Sequence, residues 1–137
     1  MRRFTIEIGT NGDTDVVNLM PLLTPHVREF GNAEGVLHLF VVGSTAALTT
    51  LEFEPGLVKH DLPGLLQRLI PDDARYAHEA TWNDDNGHSH LRASLIGPSL
   101  TVPFGGGKLL TGEYQQVVLI DFDTRPRRRT IIVTALP

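Results

Sequence analysis

The run Val36-Leu37-His38-Leu39-Phe40-Val41-Val42 constrains the fold more than any other stretch, because it is almost continuously apolar and rich in β-formers. Such a run suits a buried strand. A second β-prone run, Ala46 to Phe53, follows closely. Phe4, Ile6 and Ile8 alternate with polar neighbours, and Thr10-Asn11-Gly12-Asp13 supplies turn chemistry before Val16, Val17 and Leu19, which predicts a first hairpin. The final third is β again: Leu100 to Phe104, Tyr114 to Phe122 and Arg129 to Leu136, the last two joined across Asp123-Thr124-Arg125-Pro126.

Helical signals separate these runs. Pro21 suits the first turn of a helix that reaches Phe30 and stops at Gly31-Asn32. Leu57, Leu62, Leu65, Leu66, Leu69 and Ile70 recur at spacings near three and four, marking an amphipathic helix closed by Pro71. The expectation is an α+β chain with about seven strands and two to three helices, in a single domain over residues 1–137.

Composition excludes several function classes. The 41% hydrophobic content is spread without an apolar run near the ~20 residues that span a bilayer. The opening MRRFTIEIGT alternates where a signal peptide would be continuously apolar, so a cytoplasmic location is expected, with no membrane partner. With no cysteine there is neither a disulfide nor a thiolate metal site, and any metal falls to histidine, carboxylate or water. A net charge of −4 argues against nucleic acid, with Arg125 to Arg129 the local exception.

The stretch Tyr76–Phe104 gathers His78, His88 and His90, the only tryptophan and the Asp84-Asp85-Asn86-Gly87 run, and marks the candidate site. As a strand, Asn86 to Gly97 would place His88 and His90 on one face; as a helix it separates them by about 200°. Asn86 as N-cap, Ala93 and Leu95 inside, and Gly97-Pro98 as a stop favour the helix. His38 reads as a core or interface residue, and His26 and His60 as helix-surface residues. The acidic run reads equally as a solvated turn and lacks an EF-hand pattern. Gly105-Gly106-Gly107 before Lys108 is not a P-loop, since Leu109 follows, and reads as a strand connection. Arg125, Arg127, Arg128 and Arg129 could bind phosphate or be neutralised by Asp121 and Asp123. Gly43-Ser44-Thr45 lacks the second glycine of a serine-hydrolase elbow.

The ordered set GSTAALTTLE (Gly43–Glu52), YAH (Tyr76–His78), NGHSHLRASLIGPS (Asn86–Ser99), TVPF (Thr101–Phe104), GKLLTGEYQQVVLIDFD (Gly107–Asp123) and RPRRR (Arg125–Arg129) resembles the YjbQ family. The resemblance covers most of the chain from about residue 36 onward. It implies seven strands in two packed sheets, a β-sandwich with helices, assembled as a homotrimer. It also implies a histidine cluster holding a divalent metal, zinc or magnesium, and activity as a secondary thiamine-phosphate synthase on phosphorylated small molecules.

Carried onto this chain, the resemblance makes His78 and His90 metal ligands or proton donors and Glu52 a base. Ser44, Thr45, Asn86 and Gln115 would orient substrate, and Arg127 would supply a cation for pyrophosphate departure. Two departures bear on this. Gly43 stands where the family's HTTAAL has histidine, and Gly112-Glu113-Tyr114-Gln115 stands where it has GTWQ. A third ligand would then come from Glu52, Asp84 or Asp85, or from His88 if the backbone there is not helical. The alternatives are a noncatalytic trimeric protein binding metal or metabolite, and metal-assisted hydrolysis of a phosphorylated small molecule.

Overall fold

Alternating apolar residues sort the strands of this chain into two sheets. A computed structural model describes residues 1–137. Its strands are β1 (Arg2–Thr10), β2 (Asp15–Asn18), β3 (Gly35–Val42), β4 (Ala46–Leu51), β5 (Ser99–Gly105), β6 (Lys108–Leu109), β7 (Gln116–Asp121) and β8 (Arg127–Leu136). The α-helices are α1 (Met20–Glu29), α2 (Leu62–Leu69), α3 (Ala77–Trp82) and α4 (Gly87–Ile96). The larger sheet runs β1-β8-β3-β5-β6 and the smaller β2-β7-β4, every pair antiparallel. The two-sheet α+β architecture is therefore as expected, with eight strands rather than seven because of the short β6.

Two expected pairings are not made. β1 pairs with β8 and β2 with β7, so the first two strands lie in different sheets rather than in a hairpin. Gly12, Asp13 and Thr14 all take left-handed backbone angles, with φ of 80°, 54° and 64°, which swings the chain from one sheet to the other. The Asp13 N–H donates to the Asp123 carbonyl at 2.7 Å and pins that swing to the crossing between β7 and β8. A Cβ on Gly12 would stand 2.5 Å from the same carbonyl oxygen, so only glycine fits there. The crossing between β7 and β8 likewise separates two sheets instead of closing a hairpin.

The main core lies between the sheets. Ile6, Leu37, Leu39, Val41, Ile131 and Val133 of the larger sheet meet Leu48, Val117 and Leu119 of the smaller, with Leu23 and Val27 of α1 in the same cluster. A second cluster joins the other face of the smaller sheet, Ala47, Val118, Ile120 and Phe122, to Leu66 of α2 and Ala93 of α4. β7 is thus covered on both faces, which accounts for its unbroken apolar run Val117-Val118-Leu119-Ile120. β3 is not. Its Leu37, Leu39 and Val41 are buried, but Phe40 and Val42 face outward at 42% and 48% exposure, which corrects the reading of a wholly buried strand. No helix or sheet packs on that outer face.

The helices follow their sequence signals with two differences. The segment expected as one helix from Leu57 begins as a π-helical turn, Leu57–Asp61, before α2. Pro63 explains the change: it has no N–H for the Lys59 carbonyl and its ring crowds that carbonyl, so the backbone widens. α3 is an additional short helix beyond the two to three expected. α4 is helical as read. No helix is long and apolar enough to cross a membrane.

Candidate functional site

One carboxylate organises the histidine segment. Glu79 lies in the first turn of α3, and its Oε2 accepts the Tyr76 N–H at 3.1 Å, as the third helical residue does in a capping box. Its Oε1 accepts the Gly87 N–H at 2.6 Å, where α4 begins. Glu79 therefore clamps the starts of two helices together. The clamp is tight enough that a Cβ on Gly87 would stand 2.5 Å from Glu79 Oε1 and 2.6 Å from Tyr76 Cβ. The Tyr76 hydroxyl donates to the Pro71 carbonyl and ties the clamp to the segment that follows α2.

This arrangement brings His78 of α3 beside His90 of α4, with ring centroids 4.5 Å apart. Asn83 ends α3 in the left-handed conformation at φ 53° and turns the chain back toward His78. Asp84 Oδ1 then comes to 2.9 Å from His78 Nδ1, and Glu79 Oε1 lies 3.9 Å from the same nitrogen. Donor atoms of His78, Glu79 and Asp84 all fall within 4.8 Å of one another, and the three residues are half-buried. His78 Nδ1 and Asp84 Oδ1 are inaccessible to water, yet neither makes a hydrogen bond of acceptable direction despite their proximity. The contact is an ion pair when His78 is protonated and a pair of converging lone-pair donors when it is neutral with its proton on Nε2.

His88 points elsewhere, as the helical geometry requires. It is buried, its Nε2 lies 3.4 Å from Ser89 Oγ, and its ring centroid is 6.5 Å from that of Tyr76. Burial, followed by the charge of Arg92, holds its pKa below the ordinary histidine value. Arg92 is itself buried without a carboxylate in contact. Its Nε and Nη2 donate to the Ile70 carbonyl at 3.0 and 2.8 Å, Nη2 also donates to Gln67 Oε1 at 3.1 Å, and Nη1 reaches Thr14 Oγ1 at 3.4 Å. This guanidinium straps the end of α2 to the crossing between β1 and β2, and burial lowers its pKa.

Behind α4 lies a buried ionic network. Arg129 donates through Nε and Nη2 to both oxygens of Asp121, at 2.7 and 2.9 Å, a bidentate pair with almost no solvent contact. Thr10 Oγ1 donates to Asp121 Oδ2 at 2.5 Å. Arg129 Nη2 donates to Thr45 Oγ1 at 2.6 Å, and Thr45 donates onward to Asp123 Oδ2 at 3.0 Å. Arg127 Nε donates to the same oxygen at 2.8 Å, and Asn86 Nδ2 donates to Asp123 Oδ1 at 3.3 Å.

Burial pushes both carboxyls up, but the donors outweigh it. Asp121 is held below the usual carboxylate range by Arg129, Thr10 and the Asp123 N–H. Asp123 is brought down to about 2 by the Thr124 N–H, Arg127, Asn86 and Thr45. Of the two readings of the arginine run, neutralisation by Asp121 and Asp123 thus describes Arg129 and Arg127, while Arg128 lies 3.6 Å from Glu7. Asn86 is spent on this network rather than on a side-chain cap for α4.

The remaining candidates lie apart from the histidines. Glu52 is exposed just beyond β4 and shares a shallow cleft with Gln115, whose Nε2 donates to Thr50 Oγ1 at 3.0 Å. Neither residue hydrogen-bonds or ion-pairs with His78 or His90. Ser44 is exposed between β3 and β4, and Asp85 accepts from Thr124 Oγ1 at 2.8 Å. At Gly43 the backbone has φ of 131°, and a Cβ would stand 2.6 Å from Arg129 Nη1, so this position does not accommodate an imidazole beside Arg129 as placed. His38 is half-buried with Nδ1 3.3 Å from Thr101 Oγ1, His26 stacks on Phe4 at 3.9 Å, and His60 is exposed beside Asp61. Glu79 was absent from the candidates read in the sequence. Its spacing three residues after Tyr76 is the signal that could have found it.

Comparisons with known proteins agree with this architecture. The family model described as UPF0047 protein YjbQ-like matches residues 4–137. A UPF0047 protein of Methanocaldococcus jannaschii is 32% identical over 130 residues, covering 95% of this chain and 91% of the relative. One from Mycobacterium tuberculosis is 36% identical over 127 residues, covering 87% and 94%. Among solved structures, a hypothetical protein of Aeropyrum pernix superposes with a TM-score of 0.88 at 26% identity, covering 99% and 98% of the two chains. An uncharacterised YjbQ/UPF0047 protein of Clostridium acetobutylicum gives 0.85 at 27% identity, covering 97% and 99%.

Proposed function

The chain belongs to the YjbQ/UPF0047 family, and from the site itself we propose its function: binding of a divalent metal by His78, Asp84 and Glu79, with His90 alongside. The observation that carries this reading is the pair of water-inaccessible donors, His78 Nδ1 and Asp84 Oδ1, 2.9 Å apart without a proper hydrogen bond between them. Buried polar atoms ordinarily find partners, and an ion held by both is a partner that fits their chemistry. One imidazole with two carboxylates suits zinc better than magnesium, which prefers oxygen alone. A bound ion would supply a Lewis acid for a phosphoryl or carbonyl oxygen. His90, half-buried beside His78, would exchange a proton with a ligand there, and Glu79 holds the two helices in register.

The reading favoured is therefore a metal- and metabolite-binding protein, with a small phosphorylated metabolite as the ligand class. A thiamine-phosphate synthase-like transfer needs cations free for pyrophosphate, and Arg127 is committed to Asp123 at 2.8 Å. The proposed base Glu52 has no link to the histidines. The uncovered face of the larger sheet, where Phe40 and Val42 are 42% and 48% exposed, would suit an interface between copies of this chain, and a homotrimer is the assembly we propose there. Zinc titration tests the site: His78→Ala and Asp84→Ala should each weaken zinc binding at least tenfold with circular dichroism unchanged. Equal affinity in all three proteins would remove the metal reading.

A further inference from the structure

On the far end of α1 lies a second polar cleft, of about 570 Å³, lined by Thr24, Arg28, Asn32, Gly106, Gly107 and Lys108 among others. It contains two cations and no carboxylate. Neither Arg28 nor Lys108, both exposed, makes an ion pair or a side-chain hydrogen bond, although the chain as a whole carries a net charge of −4; the buried arginines Arg92 and Arg129 are both tied down. Glu29 and Glu34, the acids that flank the end of α1, line a different cleft, and Glu29 lies 3.8 Å from Arg2.

Backbone donors complete the cleft. Gly106 and Gly107 form the tight turn between β5 and β6, with φ of 57° and 71°, and neither N–H has an intramolecular acceptor. Consecutive left-handed residues of this kind leave their N–H groups unpaired, as in anion-binding concavities. The turn lies against the end of α1, where a Cβ on Gly107 would stand in ordinary contact, 3.7 Å from Arg28 Cα and from the Gly31 carbonyl oxygen. The last-turn carbonyls of Val27 and Arg28 accept from the Phe30 and Gly31 N–H groups, and because a helix C-terminus carries partial negative charge the two cations must supply the attraction for an anion.

We infer that this cleft binds the phosphate group of a phosphorylated small molecule, through the Arg28 guanidinium, the Lys108 ammonium and the free N–H groups of Gly106 and Gly107. A phosphate monoester offers a dianion with three acceptor oxygens, which matches two cations with several donors; a carboxylate would leave one cation unpaired. A polyanion is disfavoured because the positive charge is confined to this notch. The site involves none of the histidines and stands independently of the metal reading.

The test is a titration of the isotope-labelled chain with inorganic phosphate at constant ionic strength, following the Gly106 and Gly107 amide resonances. Both should shift along a saturating curve, and the curve should weaken at least tenfold in the double variant R28A/K108A. The double variant R68A/R75A removes the same charge from exposed arginines outside the cleft and should leave the curve unchanged. Absence of saturation, or equal weakening in both double variants, would overturn the inference. Because Arg28 and Lys108 are exposed, their replacement should leave the melting temperature unaltered, separating lost binding from lost folding.

Discussion

Replacing Gly87 with alanine should break the device that assembles the candidate site. The new Cβ would stand 2.5 Å from Glu79 Oε1 and 2.6 Å from Tyr76 Cβ, and neither neighbour can yield without moving a helix start. Overpacking of this kind costs ~1–3 kcal/mol. Relief of the clash displaces Glu79 and loses its bond from the Gly87 N–H, now 2.6 Å, a charge-assisted contact worth ~1.5–3 kcal/mol. Against this stands a gain of at most ~1 kcal/mol from alanine in a helical position. The net loss is about 3 kcal/mol, which for a chain of this size lowers the melting temperature by about 10 °C. Thermal unfolding followed by circular dichroism measures it. Zinc affinity should fall as well, since His78 and His90 no longer share a wall. In a double-mutant cycle with Glu79→Ala the two losses should sum to more than the double variant shows, because both remove one contact. A melting temperature within about 2 °C of the parent, with metal affinity retained, would refute the clamp.

Three further outcomes follow from the buried network and the open sheet face. Asp123 titrates near 2 against an ordinary 3.8, so its ionised form contributes about 2 kcal/mol of stability that is full above pH 4 and lost as the pH falls toward 2; urea unfolding across that range should show the loss, and Asp123→Asn should flatten it. Arg129→Met leaves Asp121 charged and buried without its bidentate partner, which should cost ~3–5 kcal/mol in the same assay, whereas a surface change such as Arg128→Met should cost less than about 1 kcal/mol. Phe40→Asp combined with Val42→Asp should leave the isolated fold intact but convert a trimer to monomers in sedimentation at nanomolar concentration; a parent that is already monomeric contradicts the proposed assembly.

Much of this architecture was legible because local signals and tertiary demands agree. Pro21 and Gly31 bracket α1, Gly97 ends α4, and the helical reading of Asn86 to Gly97 correctly set His88 and His90 on different walls. Sheet membership was not legible. Turn residues at Thr10 to Asp13 suit a hairpin, yet three left-handed residues and the bond from Asp13 to the Asp123 carbonyl send the chain into the other sheet. Apolar continuity also misled: β7 is the strand covered twice, while β3 spends Phe40 and Val42 on an open face. In the site, histidine chemistry drew attention to His78 and His90, but the residue that places them is Glu79, whose oxygens serve backbone N–H groups and carry no signature of catalysis. The partners of Asp121 and Asp123 come from distant parts of the chain, Thr10, Thr45 and Asn86 with Arg127 and Arg129, and such pairings depend on sheet order rather than on spacing.

If His78, Glu79 and Asp84 form a metal centre, a zinc-loaded crystal measured at the zinc absorption edge will show the ion between them. One anomalous peak per chain is expected within bonding distance of His78 Nδ1 and Asp84 Oδ1, and it should be lost in His78→Ala. A fully loaded solution with no peak there, or a peak unchanged by that substitution, would contradict it.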